Sequence, residues 1–356
     1  MTKVTFARAQ DQFSVVLRKE VDEYFRSQKL SMRGNAKLYT KTAILLSSLA
    51  ILYGVLVFAT PAWYISLPLC MLLGLNLAAI GFNVMHDGAH GSYSEKGWIN
   101  NIMAHTLDFM GGSSNFWKIK HNVAHHTYTN IEGHDEDIDI RPFLRMNTLQ
   151  KKSWYHNAQV FYWPFLYALT YIWWVAIRDF KKYFEGKVAT TEIPHMYFKD
   201  HLEFWLGKVI FAFIWVVIPL QFIPVSHFLL GYGLALAVTG VTLGVVFQMA
   251  HAVEGLDFPE PDPETLKIEN AWFIHQIHTT CNFAPNSKFW GWLTGGLNFQ
   301  VEHHLFPLVS HVHYPAISKV VQKICAEYNI HYNQNMTFPS AFMSHMHHLD
   351  RVGKAN

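Results

Sequence analysis

The residues best equipped for chemistry in this chain are its histidines, 22 of them against 26 acidic residues in all. They are not scattered. In Met85-His86-Asp87-Gly88-Ala89-His90, two imidazoles stand at i and i+4, a spacing that a helix turns onto one face. The spacing recurs in His121-Asn122-Val123-Ala124-His125-His126, where the adjacent His126 adds a third ring. Gln300-Val301-Glu302-His303-His304 supplies another pair far downstream, and His251 stands between. A lone histidine is most often a hydrogen-bonded structural residue. Seven in three clusters point to a metal.

Imidazole suits zinc, copper, iron and nickel, and argues against calcium and magnesium. A structural zinc site takes four ligands, usually with cysteine, and Cys70, Cys281 and Cys325 form no CxxC pair. The HExxH signature of helical catalytic zinc is absent from the sequence. Seven or eight histidines exceed what one ion with an open position needs, so two ions are implied. Soluble di-iron bundles use paired ExxH motifs. The ExxH here, Glu192-Ile193-Pro194-His195, is spoiled for a helix by its proline and has no partner. A two-metal site dominated by histidine remains. Metal-bound imidazoles usually donate their other N–H to a carboxylate or carbonyl. Asp87, Glu302 and the run Asp135-Glu136-Asp137-Ile138-Asp139 are candidates for that role, or else ordinary solvated charges.

Such clusters need rigid elements to bring them together. Hydrophobic residues make up 51% of the chain and charged residues 15%, against roughly 25% charged in a soluble domain. Four stretches, residues 42–60, 64–84, 204–222 and 228–250, approach the ~20 apolar residues of a bilayer crossing. The connections within the two pairs, Pro61-Ala62-Trp63 and the segment around Pro224, carry no Lys or Arg, whereas nine precede Thr42. The positive-inside rule then puts both termini and every histidine cluster on the cytosolic side. The expected fold is an all-α integral membrane protein, with four transmembrane helices and a cytosolic helical cap carrying the metal site. Residues 1–41 form a cytosolic segment, 42–315 the membrane domain, and 316–356 a cytosolic helix and polar tail. The stretch Val160 to Ile177, apolar but rich in Trp and Tyr and broken by Pro164, is expected in the interface or packed on the bundle. Lys208, one turn inside its span, is expected to snorkel.

Other classes drop out. A net charge of +2 with no dense basic run argues against nucleic acid. The charged, amphipathic start lacks the apolar core of a secretory signal. The cysteine usage fits a reducing compartment.

HDGAH at His86, HNVAHH at His121 and QVEHH at Gln300 resemble the three histidine boxes of the membrane fatty acid desaturases, in the same order and with matching topology. The resemblance runs from about Thr42 to Pro315 and includes HHTYTN and GGLNFQVEHHLFP. It implies a centre of two Fe ions that uses O2 to remove two hydrogens from an unactivated acyl chain, leaving a cis double bond and water. Carried over position by position, His86, His90, His121, His125, His126, His303 and His304 are its iron ligands. His251 matches the further ligand at the cytosolic end of the fourth span. The family pattern has an Asn four residues before that histidine, holding a water on one iron. Here Phe247 stands at that spacing and Gln248 follows it.

Gln300 replaces the first histidine of the commoner HxxHH, as in the front-end branch, which inserts a double bond between an existing one and the carboxyl end. Its amide oxygen is a weaker donor than imidazole. Front-end enzymes often carry a fused cytochrome b5 domain with an HPGG motif. None is present in this sequence, so the resemblance implies a separate electron donor such as a ferredoxin or a cytochrome b5. The substrate it implies is a fatty acyl group, lipid-linked or on coenzyme A, reached from membrane lipid in a bacterial inner membrane or the endoplasmic reticulum. Two other readings compete: a related membrane di-iron hydroxylase or ketolase, and a histidine-rich metal transporter. The second would place ligands within the spans, whereas these lie at or beyond their ends. His275 and His278 are candidates to orient ligands or line the site. His105, His134 and His156 read as structural or surface residues, and His345, His347 and His348 near the end as a chance metal-scavenging group rather than a site.

Overall fold

The computed structural model describes residues 4–7 and 12–355. Five of its helices are long and apolar enough to cross a bilayer: Ala36–Ala59, Trp63–His90, Trp154–Glu185, Phe198–Phe222 and Val225–His251. Their mean hydropathy lies between 1.4 and 2.3. Asn35 caps the first, its side chain accepting from the Lys37 N–H at 3.0 Å. With no water to satisfy exposed backbone, uninterrupted helix is what an apolar run must form in lipid.

Two compact units divide the chain. The first comprises Asn35–Ile119 and Trp163–Val245. Here Pro164 does not break its helix, which runs on from Gln159 to Trp173 and through a π-helical turn to Arg178. Tyr171 and Val175 bury against Leu236 of the last long helix. Gly240 is what permits the approach: a Cβ there would stand 2.5 Å from the Tyr167 carbonyl oxygen. Small residues let apolar helices pack closely where no hydrophobic effect drives them together.

Lys208 does not snorkel. It is buried in this unit and donates to Asp179 Oδ2 at 2.9 Å, the Gly111 carbonyl at 2.6 Å and the Val175 carbonyl at 3.1 Å. All three ammonium protons find acceptors, which replaces the interface as the means of satisfying the charge.

The second unit comprises Met1–Gly34, Lys120–Tyr162 and Val246–Asn356. The amphipathic helix Gln12–Ser27 buries Phe13, Leu17, Val21 and Phe25, spaced at four residues, against Ile277, Val301, Ile317 and Val321. Each such side chain contributes about 1.5–3 kcal/mol on burial. The expected polar tail is a helix. Phe338–Lys354 turns one face inward, with His345 Nδ1 2.7 Å from the Ala252 carbonyl oxygen and His348 Nε2 2.7 Å from that of Met146. Arg145 reaches it too, donating to the Val352 carbonyl at 2.9 Å. The sequence signal for this helix is its amphipathic spacing, obscured by three histidines that read as polar, two of which, His345 and His348, are buried donors here, while His347 is exposed beside Glu254. Near the other end, Thr5–Phe6 pairs in parallel with Lys267–Ile268.

Candidate metal centre

His86 and His90 end the long helix Trp63–His90 in the first unit, both buried, their ring centroids 4.6 Å apart. The edge of Trp117 meets both rings, at 5.6 and 5.9 Å. The glycine between them is obligatory. A Cβ on Gly88 would lie 2.7 Å from the Ala104 nitrogen and 2.9 Å from the Asn100 carbonyl oxygen. Asp87 is buried and interacts electrostatically with Lys41, which donates to Asn83 Oδ1 at 2.7 Å.

In the second unit the other boxes converge. Ile119–His125 is π-helical. A π-helix carries more residues per turn than an α-helix, its hydrogen bonds running i to i+5. Positions i+4 and i+5 therefore straddle the face of residue i, and His121 meets both His125 (5.1 Å) and His126 (4.7 Å). The short helix Gln300–Leu305 presents His303 and His304, and Val225–His251 ends in His251. Nitrogens of His125, His251 and His304 lie within 4.8 Å of one another, as do those of His126, His303 and His304. His126 Nε2 is 3.0 Å from His303 Nε2 and 3.3 Å from His121 Nε2. All six rings are at most 5% exposed.

The far nitrogens are held from behind. His125 Nδ1 stands 3.0 Å from Asp135 Oδ2, and His304 Nδ1 donates to Gln276 Oε1 at 2.7 Å. His303 Nδ1 lies 3.1 Å from the Tyr314 hydroxyl. Thr129 Oγ1 sits within reach of His304 Nδ1 (3.2 Å), Gln276 Oε1 (2.9 Å) and the His125 carbonyl oxygen (2.8 Å). Fixing the proton on Nδ1 leaves the Nε2 lone pair facing inward, the tautomer a metal requires. His125 Nε2 is buried without any hydrogen bond. Clustered, buried imidazole nitrogens suit a divalent transition metal, iron among them, so these residues fit an iron site.

Electrostatics agree. Burial opposes protonation of His125, but Asp135, then Asp137, outweigh it and raise its pKa. Asp137 is held well below the usual carboxylate range: its burial acts the other way, and the Lys120 ammonium, then His125, overcome it.

Gln300 enters from the first position of the third box. Its amide donates to His251 Nε2 at 2.7 Å and stands 3.3 Å from His304 Nε2, with Oε1 buried and without a hydrogen bond. Phe247 presents its ring edge to His121 at 6.1 Å, while Gln248 Nε2 donates to the Asp137 carbonyl at 2.8 Å. Among the described residues Glu302 turns to an amide and a phenol rather than to an imidazole. It accepts from Asn282 Nδ2 at 2.8 Å and from the Tyr332 hydroxyl at 2.7 Å, and burial pushes its carboxyl up to about 7. His275 and His278 lie outside the clusters among the described residues. Burial brings His275 down to about 4, and His278 faces Asp257 at 3.5 Å. Gln276, Tyr314, Thr129 and Asn130 are the functional positions that no spacing rule singled out.

The chain is a predominantly helical protein with five membrane-length apolar helices and buried histidine clusters compatible with a metal site. The chain belongs to the fatty acid desaturase family, whose profile it matches over residues 61–335. It is 34% identical to an sn-1 linoleoyl-lipid 6-desaturase of Arthrospira platensis, over 99% of this chain and 95% of that one. A protein of the same name from Synechocystis sp. is 36% identical, over 97% and 96% of the two chains. An acyl-lipid (8-3)-desaturase of Physcomitrium patens is 35% identical, over 96% of this chain and 72% of its own. The chain is thus an oxidoreductase of lipid metabolism, a fatty acid desaturase.

Proposed function

We propose that this enzyme inserts a cis double bond into an acyl group carried on a membrane lipid, between an existing double bond and the carboxyl end. The observation that carries the reading is the convergence of His121, His125, His126, His251, His303 and His304 with Gln300 among them. Relatives named as 6-desaturases of linoleoyl lipid supply the substrate class, an acyl group already unsaturated.

Eight histidines, these six with His86 and His90, would hold two iron ions. When bound, the iron pair supplies the activation of O2 and the removal of hydrogen from an unactivated methylene. The overall reaction balances as a CH2–CH2 unit, O2, two electrons and two protons giving CH=CH and two waters. The protein's own part is geometry. Asp135, Gln276 and Tyr314 hold ring tautomers, while burial keeps bulk water from the centre. A methylene offers no group for acid or base chemistry, so position alone selects the C–H bond. As donor of the two electrons we propose a ferredoxin or a cytochrome b5.

Topology supports the same reading. We assign four crossings, residues 42–60, 64–84, 204–222 and 228–250, with both termini cytosolic. If Trp154–Glu185 crossed as well, His251 would emerge on the face opposite His125. Their ring centroids are 4.7 Å apart. We read this helix as packed on the bundle, with Phe161 and Phe165 83% and 67% exposed.

The test is expression in a host of known fatty acid profile, with products resolved by gas chromatography. A new unsaturated species, lost in His125→Ala, is expected, and its double bond should lie on the carboxyl side of an existing one. A hydroxylated product would transfer the chain to the hydroxylase reading, and a peak that survives His125→Ala would remove the assignment to these boxes.

A further inference from the structure

We propose that the amino-terminal segment Val4–Phe6 is a strap that retains the metal, with Val4 and Phe6 as positioning residues that act through the turn following the second histidine box. The inference rests on the metal-centre reading above. Three supports of the centre originate in that turn. Thr129 reaches His304, Asn130 Nδ2 donates to the His251 carbonyl at 2.9 Å, and Asp135 holds His125. Asn130 also donates its backbone N–H to Asp135 Oδ2 at 3.0 Å, and its φ of 59° is left-handed. Such a conformation persists only where the surroundings over-determine it.

From outside, the turn is held by the strap. Tyr128 and Ile131 are buried in a cluster with Val4 and Ile268, against which Phe6 packs. The Phe6 ring stacks on Tyr128 at 6.4 Å and tilts over His275 at 5.0 Å. His275 directly precedes Gln276, the partner of His304. One short segment therefore braces both arms that orient the third-box imidazole: the turn carrying Thr129 and the helix carrying Gln276. Its own attachment is slight. Thr5 N–H donates to the Leu266 carbonyl at 3.0 Å and Ala7 N–H to that of Ile268 at 3.1 Å. The Tyr128 hydroxyl also donates to the Val4 carbonyl at 3.4 Å, and the rest of the hold comes from the side chains of Val4 and Phe6.

The experiment follows iron release from the full-length protein in detergent to a coloured chelator, comparing wild type, Phe6→Ala, Val4→Ala and the conservative Phe6→Leu. Thermal unfolding of the metal-free forms is measured alongside. Loss of an outer support typically costs 10–100-fold in metal affinity. Release from Phe6→Ala and Val4→Ala should accelerate, with the ~10–100-fold cost of losing a direct partner as the ceiling, Phe6→Leu should restore most of the retention, and the metal-free forms should melt together. An unchanged release rate overturns the strap. So does a metal-free Phe6→Ala or Val4→Ala protein that melts lower or does not fold, since the residues would then be ordinary core. A wild type that binds no iron overturns the metal-centre reading itself, a result distinct from either.

Discussion

Gln276 and His304, 28 residues apart in the chain, are joined by a hydrogen bond of 2.7 Å from imidazole Nδ1 to the amide oxygen. The bond decides which nitrogen of His304 faces the centre. Gln276→Leu removes the acceptor while keeping an apolar group in its place. Iron affinity should fall 10–100-fold, read as iron per chain after dialysis against a chelator. Gln276→Glu, which keeps an acceptor, should fall less. Equal iron retention in all three proteins would show that His304 is oriented by other means.

Asp135 does two jobs, accepting from His125 Nδ1 and from the Asn130 backbone. Asp135→Asn keeps the shape but removes the charge that raises the His125 pKa. The imidazole becomes a poorer donor, so this variant should also lose iron 10–100-fold more readily. The measurement is a chelator-competition titration. Wild-type affinity in Asp135→Asn would mean that the carboxylate's charge is irrelevant to the ligand.

The reach of the sequence is uneven for a physical reason. His86 with His90, and His121 with His125, were legible because their partners sit one helical turn away, where local geometry alone sets the contact. His251 was legible because an apolar run ends on it. Gln276 and Tyr314 were not, since a single Gln or Tyr carries no periodicity and only tertiary packing brings it to an imidazole. Lys208 looked like a snorkelling residue because it lies near its helix start. Its partner Asp179 is 29 residues earlier, on another helix. Pro164 looked like a break, yet Pro costs a helix one hydrogen bond and a local kink rather than its existence, and the neighbouring helix still packs against it. Glu302 stood beside His303 in the chain but on a different face of a short helix, and it serves Asn282 and Tyr332 instead.

The Lys208–Asp179 pair yields a stability prediction. Both side chains are buried, and Trp174 Nε1 also donates to Asp179 at 3.0 Å. Lys208→Met removes the hydrogen-bonded cation and leaves Lys182 as the remaining charge beside the buried carboxylate, a loss of up to about 3–5 kcal/mol in comparable cases. The double variant Lys208→Met with Asp179→Leu removes both charges and should recover much of that loss. Thermal unfolding in a fixed detergent compares them. A double variant no more stable than the single would indicate that the hydrogen bonds to Gly111 and Val175, rather than the loss of the cation's charge, set the cost.

The carboxy-terminal helix should detach in mild acid. Burial holds His345 down to about 3 and His348 down to about 4, so both are neutral in the folded state at pH 6. Free histidine titrates near 6.5, so between that value and the folded pKa values the detached helix binds more protons than the docked one. Docking free energy therefore falls as pH falls, by at most about 1.4 kcal/mol per pH unit for each histidine. The stability is fully present above about pH 6.5 and is lost downward from there. Hydrogen exchange of the amides in Phe338–Lys354 should accelerate between about pH 6.5 and 5, after correction for intrinsic rates. On this helix His345 and His348 carry the shift, and a double variant of the two separates their effect from Glu302 and His275, which also titrate away from their ordinary values. In His345→Gln with His348→Gln the excess acceleration should vanish, because neither side chain takes up a proton. A double variant that keeps the wild-type pH dependence would assign the effect to another group.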